Sequence, residues 1–211
     1  MKLPILIFDF GNVVGFFDYS VMFERFGRRL GRSGEELAAL MLERGGAELG
    51  REFERGALKA EEFARQVMEL AGLKMNFEEF KVDWADIFTL NESVARLIEV
   101  LKGQGYTLML GSNTNVLHAN FYRRKFQETI DHFDHLVFSY EIGQIKPDMS
   151  FFAACTELAK APAGSCIFID DAEANVAGAR TAGLQGVLYR DTPGLIADLR
   201  RLGVEVPDIQ L

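Results

Sequence analysis

Apolar positions along the chain fall into two rhythms. Short uninterrupted runs occur at residues 3–9 (LPILIFD, ending in an acid), 106–110 (YTLML), 136–139 (LVFS), 166–169 (CIFI) and 186–189 (GVLY). Runs of this length suit strands buried on both faces of a parallel sheet. Between them, residues 92–102, 115–126, 150–160, 173–182 and 194–202 carry apolar side chains at helical spacing. Strand alternating with helix predicts an α/β fold, an open, doubly wound parallel sheet covered by helices on both faces.

Residues 16–88 break the alternation, with no strand-like run and a pattern of consecutive short helices. Ser33 with Glu36 makes a capping-box pattern that opens a helix over 34–44. Gly45-Gly46, Gly56 and Gly72 read as helix stops. Phe63, Val67 and Leu70, spaced by four and three, give one buried face. The expected organisation is an α/β core built from residues 1–15 and 89–211, with a helical domain, 16–88, inserted after the first strand.

Charge narrows the partners. The chain has 23 Lys+Arg against 31 Asp+Glu and a net charge of −8, with no basic tract. Nucleic acid is therefore not an expected partner, because such binding rests on phosphate neutralisation. No apolar run approaches the ~20 residues of a membrane span, and Asp9 interrupts the first one, which does not read as a signal peptide. Cys155 and Cys166 are too few for a disulfide framework and read as buried thiols. A cytoplasmic, soluble globular protein is expected, with no membrane partner and its oligomeric state open.

In an open α/β sheet, ligands bind beyond the carboxyl ends of the strands. Here the first run ends in Asp9-Phe10-Gly11-Asn12, and the second in Gly111-Ser112-Asn113-Thr114-Asn115. Lys146-Pro147 follows the third, and Asp170-Asp171, with Asn175, follows the fourth. Carboxylates from two strands make an oxygen site suited to Mg²⁺. Ser112 and the N–H groups after it, read as opening a helix, suit a phosphate. Lys146 adds a compact cation with three donors. An Asp beside metal and phosphate can act as nucleophile and form an aspartyl-phosphate. Metal, lysine and amides would together spread the transition-state charge.

The motifs DFGNVV, GSNTN, KP and IDDAEAN, in that order and spacing, resemble those of the haloacid dehalogenase (HAD) superfamily, and the likeness spans nearly the whole chain. The resemblance implies a Rossmann-like core with a helical cap, and a Mg²⁺-dependent phosphatase acting on a small phosphorylated metabolite. It implies Asp9 as nucleophile and metal ligand, the Gly11 carbonyl as a second ligand, and Asp171 on the metal. Ser112 and Asn113 would hold the phosphate, with Lys146 bridging it to the nucleophile. Asp170 is implied as a supporting or alternative ligand, and Asn175 as the residue that orients the fourth motif. Most phosphatases of the superfamily carry a second acid where this chain has Gly11. A sugar-phosphatase branch shares the glycine, which implies a sugar phosphate such as a hexose 1-phosphate. The competing readings are a metal-independent 2-haloacid dehalogenase using the same Asp9, and a catalytically weak member that binds a phosphorylated ligand.

Other residues carry weaker signals. His118 reads as a packing or hydrogen-bonding residue more readily than a catalytic one. His132 and His135 have the spacing of a metal pair but no third ligand nearby in sequence. Phe16, Phe17 and Asp18 follow the first motif and are candidates for substrate contact. Arg44, Arg51, Glu54 and Arg55 are expected to face either the cleft or solvent.

Overall fold

The structure is a computed structural model describing residues 3–209. In chain order it begins with β1 (Ile5–Phe8) and β2 (Gly15–Phe17). Helices α1 (Tyr19–Leu30), α2 (Gly34–Glu43), α3 (Gly46–Glu54), α4 (Ala60–Ala71) and α5 (Phe77–Ala85) follow, then β3 (Phe88–Leu90). The chain continues through α6 (Glu92–Gly103), β4 (Thr107–Ser112), α7 (Val116–Lys125), α8 (Gln127–Ile130), β5 (His135–Phe138) and α9 (Ser139–Ile142). It ends with α10 (Met149–Ala159), β6 (Cys166–Asp170), α11 (Glu173–Thr181), β7 (Gln185–Leu188) and α12 (Thr192–Arg201).

The strand runs read from the sequence form a parallel sheet in the order β5-β4-β1-β6-β7. Side chains alternate between its faces. Leu6, Phe8, Leu108, Leu110, Ile167 and Ile169 join the core that includes Leu97 of α6, Tyr122 of α7 and Leu199 of α12. Ile5, Ile7, Met109 and Phe168 join the opposite core with Phe151 and Phe152 of α10 and Ala179 of α11. From β1 the chain winds outward through β4 and β5, then returns to β6 and β7 on the other side. The direction of winding therefore reverses between β1 and β6, the place where such sheets open a crevice for ligands.

The helical run α1–α5 does not enclose a core of its own. Phe26, Phe53, Phe63 and Phe80 belong to the same apolar cluster as Phe8 and Leu110 of the sheet. Rings carry this continuity: Phe53 stacks on Phe63 at 4.0 Å, and Trp84 stacks on His118 of α7 at 5.6 Å. The Ser33–Glu36 capping box forms and opens α2, and Phe63 and Val67 are buried as the spacing requires.

Several expectations need correction. The segment after the first strand is not wholly helical, because β2 and β3 pair antiparallel, Gly15 opposite Leu90 and Phe17 opposite Phe88. Two three-residue strands that leave Phe16 and Phe17 exposed have too little alternation to be read in sequence. Gly46 opens α3 instead of stopping α2, whose end is marked by Gly45 at φ +86°. β4 extends through Ser112, so α7 begins only at Val116 and is capped by Asn115, not by Ser112. Asn115 has the shorter reach to that helix, its Oδ1 accepting from the N–H groups of Leu117 and His118. Among the described residues, no helix is long and apolar enough to cross a membrane.

Candidate active site

Asp9 stands just beyond the end of β1, Asp170 ends β6, and Lys146 lies in the loop between α9 and α10. All three are buried, with Asp170 fully enclosed. The Lys146 Nζ reaches Asp9 Oδ1 at 2.6 Å and Asp170 Oδ2 at 2.7 Å, and donates to the Gly111 carbonyl at 3.1 Å. One ammonium is thus shared between the two strands that flank the winding reversal. Burial alone would lower the Lys146 pKa, but Asp9 and Asp170 outweigh it and hold the ammonium above its usual range. Asp9 is pushed the other way. Burial and the neighbouring Asp170 raise its carboxyl well above the usual carboxylate range, against the pull of Lys146.

Asp170 is saturated by protein donors. Its Oδ1 accepts from the Ala172 N–H at 2.9 Å and from Asn175 at 3.0 Å, while Oδ2 takes Lys146. Asp171 is exposed, and its Oδ2 accepts from Asn12 Nδ2 at 3.0 Å. Asp9, Asp170 and Asp171 each bring a carboxylate oxygen within 4.8 Å of the others. Three carboxylates against one ammonium leave a formal charge of −2 in a largely buried space, and the donors are all hard oxygens. That donor set fits a Mg²⁺ ion. Asp9 Oδ1 already holds the Phe10 N–H at 2.7 Å besides Lys146, so Oδ2 is its less committed oxygen.

Ser112 is buried at the end of β4, as expected for the strand carrying the second motif. Asn113 has a role that the sequence did not show. Its Oδ1 accepts from the Lys146 N–H at 2.8 Å and its Nδ2 donates to the Lys146 carbonyl at 3.1 Å. The side chain therefore fixes the lysine loop. Pro147 follows through a cis peptide bond. Gly178 lets α11 close on this loop, since a Cβ there would stand 2.6 Å from the Pro147 carbonyl oxygen.

Other sequence candidates separate cleanly. His118 is buried, with Nδ1 facing Asn115 Nδ2 at 3.0 Å and Nε2 facing the Trp84 carbonyl at 3.3 Å. That pattern is a neutral ring accepting at Nδ1 and donating at Nε2, a structural tie between α5 and α7. Burial pushes its pKa down to about 4. Phe17 leans over the first motif, its ring 3.0 Å from where a Gly11 Cβ would sit. Arg44 is spent on the Leu70 carbonyl, Arg51 pairs with Glu48, and Arg55 is exposed. Glu54 faces inward, raised by burial while Arg51 and Lys146 pull it down. Cys155 and Cys166 are buried free thiols. Among the described residues, the carboxylate trio is the one metal-capable cluster, and His132 and His135 form none.

Two groups were missed in sequence. Asn12 adopts φ +55° and anchors Asp171; an Asn directly after Gly11 was the available signal. Tyr122, stacked on Phe10 at 3.7 Å, carries a buried hydroxyl with no hydrogen-bond partner among the described residues.

The chain is similar to several known proteins. The D-ribitol-5-phosphate phosphatase of Bacteroides thetaiotaomicron is 27% identical over 81% of this chain and 84% of its own length. A sesquiterpene phosphatase of Aspergillus oryzae is 31% identical over 50% of this chain, which spans about half of that protein (54%). A HAD family enzyme of B. thetaiotaomicron, solved with magnesium and inorganic phosphate, has the same fold, with a TM-score of 0.75 at 22% identity over 90% of this chain and 95% of that one. The haloacid dehalogenase-like hydrolase family model matches residues 6–183, a span that takes in most of β1, the helical run and every residue of the carboxylate–lysine cluster. The chain belongs to the haloacid dehalogenase-like hydrolase family.

Proposed function

We propose that the protein is a Mg²⁺-dependent phosphatase that hydrolyses a small phosphorylated metabolite through an aspartyl-phosphate on Asp9. The observation that carries this reading is the buried Lys146 ammonium clamped between Asp9 and Asp170, with Asp171 completing an oxygen cluster. A metal-free dehalogenase has no use for three acids gathered around an anionic substrate. The complex of a related fold with magnesium and phosphate supports the same assignment.

Asp9 and Asp171 would hold the Mg²⁺, with the Gly11 carbonyl as a further oxygen; when bound, the ion neutralises charge on the phosphoryl group. Asp170 positions Lys146 and is itself oriented by Asn175 and the Ala172 N–H. Asp9 Oδ2 attacks phosphorus, and the bond from phosphorus to the ester oxygen breaks. That oxygen leaves with the electron pair as an alkoxide, which takes a proton from water to become the alcohol; the hydroxide so formed is the nucleophile of the next step. Lys146, the Ser112 hydroxyl and the Asn113 N–H stabilise the equatorial oxygens, the Thr114 N–H being held by Ser139 Oγ. The hydroxide then hydrolyses the acyl phosphate, releasing phosphate and restoring Asp9. Asn113 acts by holding Lys146 in place.

The two phosphatase relatives act, by name, on a polyol phosphate and on a sesquiterpene phosphate. The phosphoryl site thus serves leaving groups of opposite polarity, and selection falls to the helical run α1–α5, which we read as the cap. A sugar phosphate, expected from the Gly11 motif, has the ribitol-phosphate relative on its side. The free thiols of Cys155 and Cys166 suit the reducing cytoplasm. The test is phosphate release from p-nitrophenyl phosphate during a Mg²⁺ titration. Turnover should vanish with a chelator, and Asp9→Asn should lower it on the order of 10⁴-fold or more with the fold intact by circular dichroism. Metal-independent turnover, or chloride release from a 2-haloacid, would overturn the assignment.

A further inference from the structure

The end of α3 is held against the floor of the cleft by two independent contacts. The Glu54 carbonyl accepts from Ser139 Oγ at 2.6 Å, and that same oxygen accepts from the Thr114 N–H at 2.9 Å, two residues beyond Ser112. Gly56, at φ +72°, then lets the chain lie directly on α9, where a Cβ would overlap the Tyr140 carbonyl oxygen. Glu54, the last residue of α3, is thereby fixed beside the turn that follows the second motif.

Three charged or titratable groups face its carboxyl. Tyr19, which opens α1, has its hydroxyl pushed up by burial and by the Glu54 charge, and its ring lies 5.3 Å from Phe17, the ring that leans over Gly11. Lys146, in contact with Asp9, and Arg51, paired with Glu48, both pull the Glu54 carboxyl down, and burial outweighs them. The carboxyl itself makes no hydrogen bond or ion pair among the described residues. An acid drawn out of solvent with no partner is costly to keep.

The phosphatase reaction has a use for it. A proton must reach the ester oxygen as it leaves, and another must come off the water that attacks the acyl phosphate. The floor has no group free for either transfer. Gly11 brings no side chain, Asp170 is filled by Lys146, Asn175 and the Ala172 N–H, and Asp171 is held by Asn12. Both ring nitrogens of His118 are engaged, and Lys146 is held above its usual range.

We propose that Glu54 is the general acid and base of the phosphatase reaction, acting on the ester oxygen from the roof of the cleft. The inference rests on the phosphatase reading and adds a catalytic residue to it. As the bond from phosphorus to the ester oxygen breaks, the Glu54 carboxylic acid gives its proton to that oxygen, which departs as the neutral alcohol. The Glu54 carboxylate next takes a proton from water while the water oxygen bonds to phosphorus. The bond to Asp9 Oδ2 breaks, its electron pair returns to Asp9, and phosphate leaves. Glu54 thus carries the protons otherwise exchanged with solvent and ends as it began. Burial suits this role, because it brings the acid form closer to neutral pH.

The test compares wild type with Glu54→Gln, which keeps the side-chain size and breaks no hydrogen bond, so the urea midpoint should not fall. With Mg²⁺ present, kcat and kcat/KM are measured for p-nitrophenyl phosphate, phenyl phosphate and β-glycerophosphate, whose leaving oxygens bear negative charge progressively less well. The loss in kcat/KM should be on the order of 10²–10⁴-fold for the glycerol ester, the usual worth of general acid–base catalysis, and should shrink toward the nitrophenyl ester. On p-nitrophenyl phosphate, kcat should fall much further than kcat/KM, with a burst of nitrophenol and phosphorylated Asp9 recovered by acid quench and mass spectrometry, because the second step has lost its base. Equal losses in kcat/KM across the series, or a kcat on p-nitrophenyl phosphate that falls no further than kcat/KM, would overturn the inference and leave the phosphatase reading intact. Absence of Mg²⁺-dependent phosphate release by the wild type from all three esters would overturn both.

Discussion

The floor and the roof of the cleft are built on opposite principles. The floor, at the ends of β1 and β6, buries three charged groups, Asp9, Lys146 and Asp170, in mutual contact. The roof, α1–α4, packs methionine, leucine and phenylalanine into a buried apolar core and keeps most of its charges outside, as in the Arg65 bridges to Glu62 and Glu69. A buried ion cluster is costly to assemble and sensitive to the loss of one member. Apolar burial is non-directional and tolerates small shifts of one helix against another. On the phosphatase reading, the division places the phosphoryl chemistry in the floor, where geometry has to be fixed.

The largest expected effect tests the floor. Lys146→Met keeps much of the side-chain volume and removes the ammonium, leaving Asp9 and Asp170 facing each other. Stability in the presence of a chelator should fall by about 3–5 kcal/mol in urea unfolding, the usual cost of stripping one partner from a buried pair. Turnover should fall on the order of 10²–10³-fold, since a charge directed at the transferring group is lost. Adding Asp170→Asn should recover part of the stability and none of the activity. A loss below ~1 kcal/mol in the single variant would show that the cluster is better hydrated than its burial implies.

The next effect tests the seam where roof meets floor. His118 joins α7 to the Trp84 carbonyl of α5, and burial holds its pKa at about 4 against an ordinary 6.5. Between those values the unfolded chain binds a proton that the folded chain does not. Stability therefore rises with pH across this window and is level above it. From pH 7 to pH 5 the wild type should lose about 2 kcal/mol more than His118→Gln, whose side chain does not titrate. Carboxylates contribute alike to both proteins, so the difference isolates the ring. Parallel stability profiles would mean that water reaches His118 and that the seam opens readily.

The floor was legible in the sequence and the roof was not, for reasons of range. Asp9, Lys146 and the Asp170–Asp171 pair each follow a strand run, and a parallel sheet carries all such ends to one edge whatever the connections do. The pairing of Asn113 with the Lys146 main chain spans 33 residues and leaves no local mark. The packing of the roof depends on which faces of its helices meet. Gly46, which in sequence reads as a helix stop, instead opens α3, which lies against α2 and α4. β2 and β3 escaped for a different reason, being too short to show a period.

The smallest effect separates backbone from side chain at one residue of the floor. Asn12 holds φ +55°, a conformation that costs other L residues about 1 kcal/mol, and its amide donates to Asp171 at 3.0 Å. Glycine accepts the backbone and lacks the amide; alanine lacks the amide and resists the backbone. Both variants should need several-fold more Mg²⁺ for half-maximal turnover, because Asp171 loses the partner that orients it, a loss at or below the ~10-fold common for such supporting groups. Only Asn12→Ala should also lose about 1 kcal/mol in urea unfolding. Mg²⁺ dependence equal to wild type in both variants would place Asp171 outside the metal's reach and move the ligand role to Asp170, whose oxygens would then have to give up Lys146 or Asn175. Unequal Mg²⁺ dependence between the two variants, tracking their stabilities, would mean instead that Asn12 acts through the turn alone.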